Sequence, residues 1–476
     1  MITFLICLAL LVTAYFTYGR FLEKQVGVDS KAKTPCEKLY DGIDYVPLPR
    51  WRVFLIQLLN IAGTGPIFGA ILGACFGPVA FLWITLGGIF MGSMHDFLSG
   101  MMLVRNNGLS IPEVVGNYLG NGMRQFMRVF SVLLLILVGA VFLLSPAQLL
   151  GNMTPSISTD VWVWIILFYY FIATLLPIDK IVGRVYPVFG IALVAMALGL
   201  MGALFVGDYS IPEMNTFHNF QLDPEKLPIV PTLFITIACG AISGFHATQS
   251  PLMARCVKNE KECRLVFYGA MISESIIALV WAAVAMTFFG GAGQLSQVLS
   301  ENGGSAAWAV NEISTGMLGF AGGILALLGV VAAPITSGDT AFRSARLIIA
   351  DMFHIDQKNK LKRLYICIPL FIVGYGITLV DFDVVWRYFA WTNQTLAAIV
   401  LWTIVVYMVR RKANRWIVIF PAMFMTFVCG SFVFISGQFI GMSNHVLAYG
   451  LGVIVMLIIT GIMMMKLKKE EQQQLQ

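Results

Sequence analysis

Residues 60–66 read Asn60-Ile61-Ala62-Gly63-Thr64-Gly65-Pro66 and lie in the middle of an apolar run from 52 to 76. About 20 apolar residues are enough for a helix to cross the hydrocarbon core of a bilayer. Glycine loosens a helix and proline removes a backbone hydrogen-bond donor, so this run predicts a transmembrane helix that is broken near its middle. We call residues 60–66 the first break.

A second apolar run, residues 229–254, is interrupted in the same way. It contains Cys239-Gly-Ala-Ile-Ser-Gly-Phe-His-Ala-Thr-Gln-Ser-Pro251, and we call residues 239–251 the second break. In each break we predict that the helix restarts at a capping hydroxyl, Thr64 ahead of Pro66 and Ser250 ahead of Pro251. Unwound backbone at membrane depth is tolerated only where it is buried in protein or lines a wet cavity.

The composition of the chain points to lipid as its solvent. Of its 476 residues, 58% are hydrophobic and 12% are charged, whereas soluble domains average about 45–50% apolar and about 25% charged residues. This balance excludes a disordered regulator and an ordinary cytosolic enzyme. The eight cysteines form no C-x-x-C pair, so the sequence indicates neither a metal site of the zinc type nor a disulfide-bonded secreted scaffold.

Apolar runs of membrane-spanning length recur along the chain. We therefore predict an all-α polytopic membrane protein with about thirteen transmembrane helices. The first run lacks the basic start and the cleavage site of a signal peptide, so we expect it to be retained. The predicted spans are 2–18, 52–76, 79–104, 128–148, 161–179, 185–206, 229–254, 265–290, 313–342, 364–380, 385–408, 416–436 and 445–465.

Lysine and arginine alternate between rich and poor loops, as the positive-inside rule expects of a polytopic protein. Of the 31 basic residues, 29 fall on one predicted side of the membrane, and the other side holds one in 207–228 and one in 381–387. The rule places the N-terminus outside and the C-terminus in the cytoplasm. Because the basic residues occur in short clusters rather than on one face, the net charge of +6 does not indicate a nucleic-acid partner.

The two breaks occupy corresponding places with opposite directions. The second predicted helix runs outward, the seventh runs inward, and four crossings separate them, so five-helix units beginning at each break have inverted topology. Inverted repeats with paired broken helices are typical of secondary transporters, which bind substrate at the breaks; the alternative is that both breaks are packing kinks. The predicted single transporter domain comprises an additional helix at 2–18, repeats at 52–206 and 229–408, two additional helices within 416–465, and a cytoplasmic tail at 466–476.

Six motifs between residue 41 and about 400 resemble those of a known family. They are Asp41-Gly-Ile-Asp-Tyr-Val-Pro47, Ala62-Gly-Thr-Gly-Pro66, Gly244-Phe-His-Ala-Thr-Gln-Ser-Pro-Leu-Met-Ala-Arg255, Tyr268-Gly-Ala-Met-Ile-Ser-Glu274, Thr336-Ser-Gly-Asp-Thr-Ala-Phe-Arg343 and Phe389-Ala-Trp-Thr-Asn-Gln394. With these motifs the chain resembles the carbon starvation A (CstA) family. The resemblance implies a LeuT-like fold of the amino acid/polyamine/organocation type, location in the bacterial plasma (inner) membrane, and nutrient uptake, described for different members as peptide transport and as pyruvate/proton symport.

Two differences from larger family members limit what the resemblance implies. The chain lacks their long C-terminal extension, and the positions of their histidine pair ahead of the first break read Ile56-Gln57. The substrate and the coupling ion of those relatives are therefore not transferred to this chain.

The breaks provide the candidate substrate site. A helix N-terminus carries roughly half a positive charge, so a substrate carboxylate is expected near Gly65 or Pro251. His246 could bind substrate or carry a proton, and the alternative is an imidazole that only caps unwound backbone. The predicted substrate-binding residues are Gly63, Thr64, Gly65, Gly240, Ser243, Gly244 and His246.

Two acidic residues within the predicted spans are candidates for proton coupling. An ionised group at the centre of the membrane costs about 3 kcal/mol, so such residues are expected to have a function. Glu274 lies in the eighth span and Asp96 in the third. The alternatives are a structural acid at Glu274 and an ion pair between Asp96 and either Arg105 or another cytoplasmic base. His95 precedes Asp96 directly, and because adjacent helix residues point about 100° apart, the two are not expected to face one ligand.

Polar residues in the ninth and eleventh spans have a second set of predicted roles. The oxygens of Thr336, Ser337, Asp339 and Thr340 could hold a sodium ion, whereas in the alternative Asp339 only N-caps the next helix. An aromatic belt at the outer membrane interface, with a gate as the alternative, is predicted from Trp386, Tyr388, Trp391, Asn393 and Gln394.

These observations favour a secondary transporter of small organic nutrients, with no catalytic residues, no cofactor and no metal. The proton is the expected coupling ion and sodium is the alternative. The residues around the breaks include His246 and hydroxyls but no carboxylate, which favours a small monocarboxylate such as pyruvate over a di- or tripeptide or an amino acid. The expected partners are this substrate and the lipid bilayer.

Enzyme motifs are missing from the sequence. It contains no H-E-x-x-H, no Walker P-loop and no G-x-S-x-G, so a membrane protease and an ATP-driven pump have little support. An intramembrane enzyme built on His246, Asp96 and Glu274 is a remote alternative.

Overall fold

The computed structural model describes residues 1–42, 44–175, 186–207, 209–215, 217–355 and 360–475. The end of the fifth predicted span, residues 176–179, and the start of the sixth, residue 185, lie outside the described residues. The same holds for the basic residues Lys180 and Arg184.

The described chain is helical and contains no strand. Apolar segments form the long helices, and glycine, proline and charged clusters separate them. The principal helices are Ile2–Phe16, Tyr18–Val26, Arg50–Ala62, Gly65–Ala74, Val79–Arg105, Ile111–Leu119, Asn121–Met153, Thr159–Leu175, Tyr186–Val206, Ile229–Leu233, Phe234–Thr236, Gly244–Ala254, Glu260–Phe288, Ala292–Glu301, Ala306–Leu325, Ala332–Phe353, Lys360–Thr378, Phe382–Arg410, Trp416–Ile435 and His445–Leu475.

The helices confirm a polytopic membrane protein. Among the described residues, ten helices are long and apolar enough to cross a membrane, and there are eleven if the bent pair Arg50–Ala62 and Gly65–Ala74 counts as one span. The helix Thr159–Leu175 and the segments around the second break fall below that length. The predicted count of thirteen spans is therefore not confirmed.

A third helix interruption, which was not predicted from the sequence, lies at Gly319. Gly319 has φ 58° and ψ −143° inside the segment Ala306–Leu325, a left-handed conformation that favours glycine. Beyond it the chain continues as one helical stretch to Phe353. The predicted ninth span, 313–342, therefore begins before this kink and contains it.

The loops with most of the basic residues meet at one end of the bundle. There Arg255 Nε donates to the Gly108 carbonyl at 2.9 Å, and Arg410 Nη1 donates to the Asn117 carbonyl at 3.1 Å. The loops 221–227 and 436–437 meet the end of the helix Ala292–Glu301 and the turn after it at the opposite end, around one cavity. The structure therefore separates the two classes of loop as the charge alternation predicted; which end faces the cytoplasm stays a prediction.

Both broken helices lie at the centre of the bundle. Residues 56–71 and 237–251 are all buried, and the broken helices pack against Glu260–Phe288 and Ala332–Phe353. The outermost helix is His445–Leu475, most of whose apolar surface is exposed. Exposed apolar surface suits a helix that contacts lipid. The polar residues of the breaks are thus enclosed by protein on all sides.

Arg105 holds four elements together at the basic-rich end. Its Nε and Nη2 donate to the two Glu260 oxygens at 2.9 and 2.8 Å, and its Nη1 donates to the Tyr407 hydroxyl at 2.7 Å. The carbonyls of Val26 and Gly27 accept two further hydrogen bonds, at 3.0 and 2.8 Å. All five guanidinium N–H groups are used, which is the geometry in which arginine cannot be replaced by lysine. We call this group the Arg105 latch.

Replacing Arg105 with glutamine is expected to destabilise the closed basic-rich end. Glu260 is 4% exposed, so the change leaves a buried carboxylate without its partner, at a cost of about 3 kcal/mol. The melting temperature of the purified protein in detergent, followed by tryptophan fluorescence, measures this loss. Arg124→Gln is the matched control, because its partner Glu113 keeps a hydrogen bond from Arg128 at 2.9 Å; equal melting temperatures for the two variants would contradict the prediction.

Candidate functional site

The first break opens at Gly63 and Thr64. The helix Arg50–Ala62 ends there, and the chain resumes as Gly65–Ala74 at an angle of 54°. Gly63 has φ 20° and ψ −138°, and a Cβ at this position would lie 2.5 Å from the Phe142 ring, so only glycine fits. Thr64 is the residue before the restart, as predicted, but its side chain makes no capping hydrogen bond. The N–H groups of the new helix end are therefore not capped by a side chain.

The second break restarts earlier than predicted. Its backbone is non-helical from Ile237, Gly240 has φ 92°, and the new helix is Gly244–Ala254. Ser250 lies inside that helix and donates to the His246 carbonyl at 2.9 Å, so the prediction of a Ser250 cap was wrong. Pro251 is the eighth residue of this helix, where it removes the hydrogen bond to the Ala247 carbonyl, and the helix ends three residues later at Ala254.

Asn393 caps the restarted helix from a different span. Its Oδ1 accepts from the Phe245 N–H at 2.7 Å and from the Ser243 hydroxyl at 3.1 Å. A Cβ on Gly244 would lie 2.4 Å from the Asn393 carbonyl oxygen and 2.5 Å from the Ala397 nitrogen. The second break is thus held directly against the backbone of the helix Phe382–Arg410, and Gly244 permits that approach.

The two breaks contact each other. A Cβ on Gly65 would lie 2.3 Å from Cys239 Sγ, and one on Gly240 would lie 3.9 Å from Pro66 Cβ. The structure therefore places Gly65 and Gly240, two of the predicted substrate-binding residues, where the breaks meet, and the Cys239 side chain lies against Gly65.

The third crossing is widened beside the second break. Residues Trp83–Ser93 form a π-helix, a conformation often found at functional sites. Its glycines face the unwound backbone: a Cβ on Gly92 would lie 2.2 Å from the Ala241 carbonyl oxygen, and one on Gly88 would lie 3.3 Å from the Gly240 carbonyl oxygen. Close packing of backbone on backbone therefore fixes the second break on this side too.

Four ionisable side chains form a row beside the breaks. His95 Nδ1 lies 2.8 Å from Asp96 Oδ1, Asp96 Oδ2 lies 2.8 Å from His246 Nδ1, and His246 Nε2 lies 3.3 Å from Glu274 Oε2. All four side chains are fully buried. We call these residues the proton row. It joins three helices, and it places the two predicted proton-coupling acids on either side of the imidazole of the second break.

This row corrects two expectations for the third crossing. Asp96 does not pair with Arg105, which binds Glu260 instead. His95 and Asp96 contact each other through their side chains, although they are adjacent on a helix, because the Asp96 carboxylate has two oxygens and uses one for each histidine. The carboxylate therefore fixes the orientation of both rings.

Glu274 is the open end of the row. Within the described residues, neither of its carboxylate oxygens has a hydrogen bond of regular geometry, and the same is true of His246 Nε2. The Cys239, His246 and Glu274 ligand atoms all lie within 4.8 Å of one another, so within the described part of the chain these three residues could hold a metal ion. A buried acid 3.3 Å from a buried imidazole is also suited to exchange a proton.

The predicted sodium site is occupied by an ion pair. Arg343 Nη2 lies 3.1 Å from Asp339 Oδ2, and the Tyr186 hydroxyl donates to the same oxygen at 3.3 Å. The Ser337 hydroxyl donates to the Leu59 carbonyl at 3.0 Å, and Thr336 and Thr340 donate to carbonyls of their own helix. Asp339 lies inside the helix Ala332–Phe353, so the alternative that it N-caps a helix was wrong.

The predicted aromatic belt is divided by the structure. Trp386, Asn393 and Gln394 are buried, whereas Tyr388 and Trp391 are half-buried and contact the neighbouring segment through Gln438 and Cys429. Asn393 in particular belongs to the second break. Its role could not be read from the sequence, because it depends on which two helices are neighbours.

The chain matches the family described as carbon starvation protein CstA over residues 1–156 and 147–320. A protein of Haemophilus influenzae described as an uncharacterized membrane protein is 43% identical over 339 residues, which cover 61% of this chain and 91% of that protein. The peptide transporter CstA of Escherichia coli K12 is 24% identical over 87% of this chain and 78% of its own length. The pyruvate/proton symporter BtsT of the same organism is 26% identical over 56% of this chain and 46% of its own length.

Two solved structures show the same fold. A mutant manganese transporter from Eremococcus coleocola superposes with a TM-score of 0.55 at 12% identity, covering 91% of this chain and 99% of the transporter. MhsT in complex with L-phenylalanine gives a TM-score of 0.56 at 13% identity, with 90% and 99% coverage. The expected LeuT-like architecture is confirmed by these two likenesses, which carry no information on the substrate.

Proposed function

Because this chain belongs to the carbon starvation protein CstA family, we propose that it is a proton-coupled transporter that takes up a small monocarboxylate such as pyruvate. Several of its relatives are named as transporters, of peptides and in one case of pyruvate and protons. A membrane transporter is the coarser function that they support, and they are consistent with a chain that is not an enzyme. The substrate, the proton and the bacterial plasma membrane location, with the N-terminus outside, are our proposal.

The observation that carries the proposal is the position of Glu274 in the proton row. With both carboxylates ionised and one imidazole protonated, Asp96, His246 and Glu274 carry one net negative charge. A proton bound at Glu274 removes that charge. Since only the Cys239 side chain separates Gly65 from this group, an anion at the first break is repelled before the proton binds and tolerated afterwards. Proton and anion therefore bind together, which is the requirement for symport.

The substrate carboxylate is proposed to bind at Gly65 rather than at the second break. The helix end at Gly244 already has its N–H groups partly satisfied by Asn393. The helix end at Gly65 has no side-chain cap from Thr64. Pro66 has no N–H group, and the Ile67 and Phe68 N–H groups donate to the Thr64 carbonyl. The Gly65 N–H group and the helix dipole therefore remain for an anion.

A second candidate function is uptake of a peptide or an amino acid. The sequence around the breaks contains no carboxylate, but the fold brings Asp96 and Glu274 to the second break. An ammonium group would then find an acidic partner at Glu274, whose oxygens are open. The position of these two carboxylates weakens the sequence argument for a monocarboxylate. The proton coupling proposed at Glu274 is then the stronger reason for preferring a monocarboxylate to a peptide.

Competition in a transport-deficient cell separates the two substrates. We expect labelled pyruvate to be taken up, to be displaced by excess unlabelled pyruvate, and to be unaffected by excess dipeptide. We also expect an acid-outside pH jump to raise the initial rate and sodium to have no effect, because Asp339 is engaged with Arg343. Uptake of dipeptide without uptake of pyruvate would establish the second candidate instead.

A further inference from the structure

A cavity of about 420 Å³ opens on the predicted outer face. Its wall includes residues 221–227, 296–304 and 436–437, the first turns of the helix Phe382–Arg410, and the outer ends of the two broken helices at 72–76 and 232–236. This volume lies within the range of sites for small organic ligands, about 300–1,000 Å³. The breaks themselves, residues 60–66 and 239–251, do not line the cavity.

The two basic residues of the predicted outer side, Lys226 and Arg387, both line this cavity. Lys226 is 83% exposed and pairs with Asp223 at 2.7 Å. Arg387 is half-buried and forms no salt bridge within the described part of the chain; its Nη1 donates to Gln438 Oε1 at 3.5 Å, a long hydrogen bond. Asp383, one turn earlier on the same helix, also lines the cavity. Arg387 therefore places a positive charge in the cavity wall, with guanidinium N–H groups that no salt bridge engages among the described residues.

Trp386 is a second, independent indication of a ligand. It lines the cavity, it is 4% exposed, and its Nε1 has no hydrogen-bond partner among the described residues. A buried N–H without a partner is costly, and such groups are rare in native structures. The nitrogen itself is buried, so an oxygen acceptor beside Arg387 would satisfy it once the indole ring turns toward the cavity.

Trp386 also stands between the cavity and the first break. Its ring packs against Phe68 at a centroid distance of 6.4 Å and against Phe389 at 5.5 Å. A Cβ on Gly69 would lie 3.6 Å from Trp386 Cζ2. Phe68 and Gly69 belong to the helix that restarts at Gly65, so the indole covers the outward side of that helix.

We propose that the cavity is an outer capture site for the carboxylate of the substrate, with Arg387 as the charged partner and the Trp386 N–H as the second donor. We call it the capture site. It rests on the proposed function, because it receives the same carboxylate before that group reaches Gly65. Movement of the Trp386 ring then opens the way inward. A guanidinium and an indole N–H suit a planar carboxylate with two acceptor oxygens.

The test is the concentration dependence of labelled pyruvate uptake into proteoliposomes. Arg387→Gln is expected to raise KM about tenfold with little change in kcat, since it removes one charge-assisted hydrogen bond at a partly exposed site. Trp386→Phe keeps the ring and removes the N–H, and it is expected to raise KM about fivefold. Arg387→Lys should recover part of the loss. Arg124→Gln, the control that removes a positive charge at the opposite end of the bundle, should leave KM within about twofold.

An unchanged KM in Arg387→Gln at normal protein levels overturns the capture site, as does an equal effect of Arg124→Gln. If the wild-type protein transports a dipeptide and not pyruvate, the proposed substrate fails. The same KM ratios are then measured with the labelled dipeptide, whose C-terminal carboxylate would use the same two donors, and they decide the capture site separately.

Discussion

Glu274→Gln is expected to abolish accumulation of substrate against its gradient. In the wild-type protein each pH unit across the membrane is worth about 1.4 kcal/mol, or about tenfold accumulation for one proton per substrate. Glutamine has a similar shape but cannot take up a proton, so the proton row loses the step that neutralises it. The accumulation ratio should fall to about 1 in proteoliposomes with an acid exterior, while exchange of labelled for unlabelled substrate continues.

The control for this variant is Glu274→Asp, which keeps a carboxyl group and shortens it by one methylene. It should slow uptake yet retain the response to a pH jump. Measurements of both variants use the same lipid and the same protein level, checked on a gel. Accumulation that persists in Glu274→Gln and still collapses with an uncoupler would place the coupling proton on another group.

Gly65→Ala is expected to eliminate uptake, with partial recovery when Cys239 is also changed to glycine. The added Cβ would lie 2.3 Å from Cys239 Sγ and 2.4 Å from Cys239 Cβ, and both of those atoms are missing in Cys239→Gly. Overpacking of this kind costs about 1–3 kcal/mol, and here it separates the two breaks that together form the site. We expect at least a tenfold loss of uptake in the single variant.

Gly376→Ala serves as the comparison, because no atom lies within 4 Å of the position that its Cβ would take. This variant should transport normally. The double variant is the sharper measurement, since a general weakening of the fold would be made worse by a second change, whereas a specific clash is relieved by it. Normal uptake in Gly65→Ala alone would show that the breaks do not contact each other as described.

Local sequence was sufficient for the features that depend on one segment. Apolar length predicted helices, and the glycines and Pro66 predicted the first break, because the conformational limits of those residues act within a few positions. The separation of basic-rich from basic-poor loops also followed, since it reflects the path of the whole chain across the membrane.

Features that depend on two distant segments could not be predicted. Asn393 caps a helix that begins 149 positions earlier along the chain, at Gly244. Glu274 and Asp96 appeared as separate acids, and only the fold places His246 between them. The Ser250 cap failed for a related reason, because a cap from another helix made the local hydroxyl unnecessary. The sequence nevertheless contained a signal for this site, because Asp96, His246 and Glu274 are ionisable residues within apolar spans.

The burial of residues 56–71 and 237–251 has an energetic consequence for the cell. A bacterium stores work as a proton gradient, and any continuous water path through a membrane protein would discharge it without gain. In this arrangement the proton row and both breaks are sealed from the two aqueous phases at once. The coupling proton that we propose for this row would leave it only after part of the bundle has moved, so that its leakage would be limited by the rate of that movement rather than by diffusion.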